Sequence, residues 1–448
     1  MNESSEQSSI QELLDFLFSL HRFGIKPGLE RIVSLLDSLG NPQESLTCIH
    51  VAGTNGKGSV CSLLAAILQS AGFRVGLYTS PHIRVFNERI RVNGEMISDA
   101  DIALLAGRMM DEINKEHTTF FEVTTAMAFT YFAEKGVDIA IIETGMGGRL
   151  DATNVLKQPL ATVITSIDYD HMEFLGNDLK TIAGEKAGIF KKGSPIIIGE
   201  EREVLVELFK QKASDIEAGL VSVVNEECSF MNLAMNLDCT MKLDCSVCGN
   251  ILRDIYSDRV GIHQARNILT TLLTLKAIES FFQIDEQAIH DGIAQCSVMT
   301  GVEGRIQCLR KDPPLILDVG HNTACLLRLR ETLNACGYKD QKWEIVFGVM
   351  KDKPIEEMLE ILSPMSDTMH CCSPNMDRAL TGELLHAQAI KHGINAMPHP
   401  SVEDAIHRAM ESGNRVLITG SFYLADEAMQ ALEKRGYVNR KDHLPEEE

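Results

Sequence analysis

Short, unbroken apolar runs alternate with stretches of helical periodicity along this chain. "SLTCIHVAG" is a run too short for a helix and reads as a buried strand, and "SVCSLLAAILQSAG" is an apolar-periodic helix closed by Gly72. The same strand reading fits "VDIAIIETGMGG", which delivers Glu143 at its carboxyl end, and "LATVITSIDYDH", which delivers Asp168, Asp170 and His171. "SPIIIGE" is another strand and follows the helix-like "LKTIAGEKAGIF". Strands alternating with helices predict a parallel sheet covered by helices, with ligands held at the strands' carboxyl ends. After "GVEGRIQ" the pattern restarts with strands at "PPLILDVGHN", "WEIVFGVMKDK", "DTMHCCSP" and "NRVLITGSFY". Helices at "PIEEMLEIL" and "LADEAMQALEKRG" separate them. The fold class is therefore α/β twice over, with a boundary near residue 304. That length, 448 residues, is about two domains' worth. Before the first strand a polar start precedes a helix at "IQELLDFLFSL", and "DHLPEEE" forms an acidic end.

Between the first strand and its helix lies "VAGTNGKGSV", a Gly-rich turn with a lysine. The common phosphate loop has Gly, four residues, then Gly-Lys-Ser/Thr. Here Val51 stands at the first Gly and Gly58 follows Lys57. The chemistry survives, because Gly53, Gly56 and Gly58 let backbone N–H groups turn inward, Lys57 adds a point charge and Ser59 offers a hydroxyl. A helix N-terminus attracts anions at the same place. A nucleotide triphosphate there needs magnesium, which takes one or two carboxylates along with phosphates and water. Glu143 is the best-placed acid, and the glycines and arginine of "TGMGGRLDATN" after it suggest backbone closely approaching a ligand. His171 and Lys186, taken singly, read as ordinary surface or core residues.

Composition narrows the classes. With 63 acidic and 42 basic residues the net charge of −21 disfavours nucleic acid as a partner. No apolar run approaches the length that spans a bilayer, and the polar start lacks the features of a signal peptide, which points to the cytoplasm. The 12 cysteines read as reduced thiols. Cys228, Cys239, Cys245 and Cys248 could in principle offer four thiolates to zinc, although only the last pair has C-x-x-C spacing and the segment alternates like β-hairpins. No strand is followed by G-x-G-x-x-G, which argues against a dinucleotide cofactor.

Nine stretches in order, "AGTNGKGS", "TSPHIRVFNERIRVNGEMIS", "TFFEVTTAMAF", "ETGMGGRLDATN", "DHMEFLG", "GEKAGIF", "GRIQ", "DVGHN" and "GSFY", together resemble the folylpolyglutamate and dihydrofolate synthases of the Mur-ligase superfamily. The resemblance implies an N-terminal P-loop ATPase domain with a parallel sheet (1–304) and a C-terminal Rossmann-like ligase domain (305–448). It implies an ATP- and magnesium-dependent ligase that adds L-glutamate to a folate, to dihydropteroate, or to both, acting as a monomer. On the matching positions, Thr54, Asn55, Gly56, Lys57, Gly58 and Ser59 would hold ATP phosphates, and Asn267, Arg305 and Asp318 would contact the nucleotide. Ser80, Glu143 and His171 would hold the metal, and Lys186 would be the lysine that the family carboxylates. Thr119, Phe120, Phe121 and Glu122, with Leu150, Asp151 and Ala152, would receive the pterin, and His321 and Asn322 belong to the second domain's signature, His321 being assigned a catalytic role. Other readings of the loop are a P-loop kinase or hydrolase, a sister Mur-type ligase with another carboxylate substrate, and a nucleotide-binding regulator without turnover.

Overall fold

The computed structural model describes residues 16, 17, 20 and 28–438. The expected polar start and acidic end, and most of the helix before the first strand, lie outside these residues. The chain forms two compact units. One comprises residues up to Ser229 with 245–252 and 266–293; the other comprises 230–244, 253–265 and 294 onward.

The first unit is built on an eight-stranded sheet. Its strands are β1 (Cys48–Ala52), β2 (Val75–Tyr78), β3 (Ile90–Val92), β4 (Glu95–Met96), β5 (Ile139–Glu143), β6 (Ala161–Ile164), β7 (Ile196–Ile198) and β8 (Val221–Val223). They lie in the order β4-β3-β2-β5-β1-β6-β7-β8, parallel except where β3 pairs with β2 and β4. β1, β5, β6 and β7 are buried at every position, as a parallel sheet covered on both faces requires, and this is why they read as continuous apolar runs. β1 lies between β5 and β6, with Val51 beside Glu143 and Ala52 beside Ile164. The loops after these three strands consequently share one edge.

Helix Lys57–Ser70 follows β1, is buried from Gly58 through Leu68 and ends at Gly72, whose left-handed φ of 88° stops it. Helix Phe120–Lys135, which the sequence reading did not assign, begins with a capping box of Thr119 and Glu122. A three-stranded meander, β9 (Cys228–Met235), β10 (Met241–Val247) and β11 (Asn250–Ser257), confirms the hairpin-like alternation around the cysteines.

The second unit carries a six-stranded sheet of β12 (Gln307–Lys311), β13 (Pro314–Leu317), β14 (Trp343–Phe347), β15 (Ser366–Cys371), β16 (Ala396–Pro398) and β17 (Val416–Thr419). The order is β12-β13-β17-β14-β15-β16, and only β12 runs antiparallel to its neighbour. The amphipathic helix Ile355–Leu362 connects β14 to β15, and helix Phe422–Lys434 follows the last strand, β17. Among the described residues, no helix is long and apolar enough to cross a membrane.

Candidate functional site

The turn after β1 is clamped to the loop after β6. Thr54 N donates to Ser166 O at 2.7 Å, and the Thr54 hydroxyl accepts from Asp168 N at 2.9 Å. The hydroxyls of Thr165 and Ser166 donate to Asn55 O at 2.8 and 3.1 Å. Thus Asp168 serves the loop through its backbone. Gly56, with φ of 91°, sits against Asn267, and a Cβ there would lie 2.7 Å from Asn267 Oδ1, so a side chain at this position would displace the loop. Asn267 reaches the turn from helix Ile262–Ala277.

Two lysines converge on this turn. Lys57 Nζ donates to Gly53 O at 3.1 Å and Thr54 O at 3.2 Å, and Lys186 Nζ donates to the same Gly53 O at 2.8 Å. Lys186 is only 4% exposed. Burial, aided by the charge on Lys57, lowers its pKa from 10.5 to about 7. Lys186 is thus a buried amine with a large neutral fraction near pH 7 rather than an ordinary surface lysine.

Glu143 ends β5, is 4% exposed, and accepts from Ser80 N at 3.2 Å. This places the Ser80 hydroxyl and the Glu143 carboxylate in adjoining residues of one edge. His171 is exposed, adopts a left-handed φ of 50°, and lies 3.8 Å from Asp170 Oδ2. Among the described residues, no three His, Cys, Asp or Glu side chains form a group able to hold an ion by themselves. The donor set of one carboxylate and one hydroxyl beside a phosphate-type turn fits magnesium, which takes its remaining oxygens from phosphate and water.

The loop after Glu143 lies against the Lys186 helix. A Cβ on Gly148 would lie 2.7 Å from Lys186 O, so only glycine permits this approach. Arg149 N donates to Glu185 O at 2.8 Å, and its guanidinium pairs with Glu185 at 3.1 Å. Asp151 is buried and accepts from Met146 N at 2.8 Å and from the Thr153 hydroxyl at 2.5 Å. Burial raises its pKa nevertheless. Thr153 Oγ1 in turn lies 2.8 Å from His50 Nε2 in β1. With the Thr153 proton directed at Asp151, His50 Nε2–H is the donor, and burial lowers the His50 pKa to about 3. Sequence reasoning missed His50, because a histidine inside an apolar run carries no periodic signal.

Of the residues expected at a pterin, Thr119 and Glu122 cap their helix, and Glu122 also pairs with Arg31 at 3.0 Å. Phe120 is a core ring, 4% exposed, edge-on to Phe86 and with the Arg89 guanidinium 5.2 Å over its face. Phe121 is half-buried, beside Tyr78 and against Gly145. Leu150 is exposed at 36% and Ala152 is buried.

The second unit gathers Arg305, Asp318 and His321 at the end of β13. The buried Asp318 carboxylate accepts from Ile306 N at 3.0 Å and Gly320 N at 2.8 Å. Burial raises its pKa, opposed by Arg305. Arg305 lies 5.2 Å over Phe422, and the His321 ring is 5.6 Å from the same ring. Phe422, at the head of its helix, is the residue the sequence reading quoted in "GSFY" without assigning a role. His321 Nδ1 donates to Val319 O at 3.1 Å, and Asn322 caps the next helix through Cys325 N.

The four cysteines considered for zinc are divided. Cys248 Sγ lies 3.4 Å from Glu227, whereas Cys239 turns to Cys308 and Cys336 in the second unit.

Residues 51–275 match the family model of the Mur ligase middle domain, and residues 304–422 match that of the Mur ligase, glutamate ligase domain. The dihydrofolate synthase/folylpolyglutamate synthase of Bacillus subtilis is 35% identical over 438 residues, covering 95% of this chain and 99% of that protein. The chain belongs to the folylpolyglutamate and dihydrofolate synthase family of Mur ligases. Members of this family with solved structures superpose closely on it. Mycobacterium tuberculosis folylpolyglutamate synthase, complexed with ADP, gives a TM-score of 0.85 at 31% identity over 95% of this chain and 98% of the other. The Escherichia coli enzyme in complex with DHPP and ADP gives 0.84 at 30% identity, with the same coverage.

Proposed function

We propose that this chain is an ATP-dependent ligase that adds L-glutamate to a folate, with dihydropteroate as a further acceptor, giving ADP and phosphate through an acyl phosphate. The observation that carries the reading is the meeting of Lys57 and Lys186 on the Gly53 carbonyl, beside Glu143 and at a helix N-terminus. We assign residues 1–304 to an ATP-binding domain and 305–448 to a ligase domain.

A carboxylate is inert toward amines until one of its oxygens attacks the γ-phosphorus of ATP and ADP departs. Developing charge on the transferring group favours fixed cations, and Lys57, held only by two neutral carbonyl acceptors, can turn to phosphate oxygens. The N–H groups in the first turn of helix Lys57–Ser70 would face the same anion. Glu143 and Ser80, with His171, hold magnesium in this reading. When bound, that ion neutralises phosphate charge. The amine of glutamate then attacks the acyl carbon, loses a proton, and phosphate leaves.

Lys186 fits a carboxylated role. Its neutral amine adds CO₂ and releases a proton, leaving an anion where the protonated lysine would be a cation, and that anion would support the metal. The depressed pKa and burial favour that reaction. Phe121 is the half-buried ring that a pterin can stack on, with Leu150 beside the acidic-strand loop, whereas Phe120 holds the helix start in the core. Arg305, Asp318 and Asn267 are assigned to the nucleotide, and His321, whose Nδ1–H is engaged, can take a proton at Nε2.

ADP release measured with tetrahydrofolate and with dihydropteroate, each with and without glutamate, tests the reading. Turnover should require glutamate together with at least one acceptor. ADP formation indifferent to glutamate indicates a kinase or hydrolase, and stimulation by UDP-linked peptidoglycan precursors alone indicates a sister ligase.

A further inference from the structure

Three thiols distant in sequence meet in the second unit. Cys308 and Cys336 are the two groups that act most strongly on the Cys239 thiol, which marks them as its side-chain neighbours. Cys239 and Cys336 are buried, and Cys308, on β12, is partly exposed.

Cys239 sits at the tip between β9 and β10, and that tip is fastened in place. Cys239 N donates to Asn236 O at 3.0 Å, and Asn236 N donates to Thr240 O at 2.9 Å. Tyr338 Oη donates to Leu237 O at 2.6 Å, and Lys311 Nζ pairs with Asp238 at 3.1 Å. These contacts join the tip to the segments that carry Cys336 and Cys308, so the sulfur atoms are held together by more than their own attraction. Among the described residues no metal cage of three such ligands is formed, so the cluster is a set of thiols.

We propose that Cys239, Cys308 and Cys336 form a redox-modification site in which Cys239 enters a reversible disulfide with one of its two neighbours under peroxide. Cys308, the partly exposed member, reacts first. Its thiolate attacks a peroxide oxygen, the O–O bond breaks, hydroxide leaves and a sulfenic acid remains. Cys239 sulfur then attacks that sulfur, the S–S bond forms as the S–O bond breaks, and the departing hydroxide takes the Cys239 proton as water. Two thiols and one peroxide give one disulfide and two waters. Cys336 can afterwards exchange into the bridge and release Cys308.

The electrostatics favour this order. The Cys239 S–H directed at its neighbours lowers the pKa of both Cys308 and Cys336, the first cause in each case being that hydrogen bond. The same contacts raise the pKa of Cys239 itself, first through Cys308. Oxidation of Cys308 removes that thiolate neighbour and frees Cys239 to ionise.

Full-length reduced protein exposed to hydrogen peroxide, alkylated, and mapped by mass spectrometry without reductant tests the site. A bridge from Cys239 to Cys308 or Cys336 is expected, with loss of two hydrogens and reversal by dithiothreitol. Cys308→Ser should suppress the bridge, because the thiol that meets peroxide first is gone, while leaving ADP formation under reductant at the wild-type level, and Cys239→Ser should abolish the bridge. Cys239 remaining alkylatable in the wild type, a bridge forming equally fast in Cys308→Ser, or Cys308 passing to sulfinic acid with no bridge would overturn the proposal without reference to the folding of Cys239→Ser.

Discussion

At the ends of β1 and β5 two lysine amines share one carbonyl and a buried carboxylate ends the neighbouring strand, whereas at the end of β13 a buried carboxylate is met by two backbone N–H groups. The first region carries charges whose protein partners are neutral dipoles. An anionic ligand offers them stronger partners, since charge-assisted hydrogen bonds are roughly twice as strong as neutral ones. The second region already satisfies its acid and presents flat groups, Arg305 over Phe422 and the His321 ring, as its outward chemistry. Substitutions in the first should therefore act on rate, and those in the second on local structure and ligand affinity.

The largest effect should come from Lys57→Ala, with a loss of about 10² to 10³ in turnover in a protein that stays folded, because a charge at a developing phosphoryl anion is removed. Single-turnover ADP formation checks this, and near wild-type rates would take the turn out of the mechanism. Beneath the same region, His50 should make acid costly. Its folded pKa of about 3 lies below the ordinary 6.5, so between those values the unfolded chain binds the extra proton. Stability is thus intact above pH 6.5 and falls as pH drops toward 3, by ~4 kcal/mol across the whole window. Urea unfolding of wild type and of His50→Gln from pH 3 to 7 should show a flatter profile for the variant; parallel profiles would remove His50 as the source.

Glu143→Ala should raise the magnesium concentration needed for half-maximal turnover, roughly tenfold or more, since an ion with few protein oxygens loses one. His171→Ala should do the same less severely, as befits an exposed side chain. An unchanged magnesium dependence in both would misplace the metal. The smallest effect is expected in the second region. Asp318→Ala leaves the N–H groups of Ile306 and Gly320 without their acceptor, at a cost of about 1–3 kcal/mol, so the melting temperature should fall more than turnover under saturating ATP. A turnover loss as large as that of Lys57→Ala would erase the contrast between the regions.

Much of the first region was legible because its parts are local. A buried apolar run, a glycine turn and a periodic helix are adjacent in the chain, and Glu143 announces itself at the end of another run. What the sequence hides is convergence. Lys186 reaches Gly53 across 133 residues, and its burial is invisible in a segment that contains glycines and polar neighbours. Neighbouring phenylalanines looked equivalent, yet only the helix phase decides that Phe120 enters the core and Phe121 remains half-buried. Asp168 was noticed for its carboxylate and contributes its backbone to the turn. The cysteines were grouped by proximity in the chain, and the meander sends Cys239 away from Cys228, Cys245 and Cys248.

In the working enzyme the paired lysines are expected to become oppositely charged partners. Carbon-13 NMR of the protein equilibrated with labelled bicarbonate tests it directly. One slowly exchanging carbamate resonance is predicted in active wild type, retained in Lys57→Ala and absent in Lys186→Ala, with the activity of the wild type tracking its occupancy. Full activity in enzyme that shows no carbamate, or a resonance that persists in Lys186→Ala, would contradict the account.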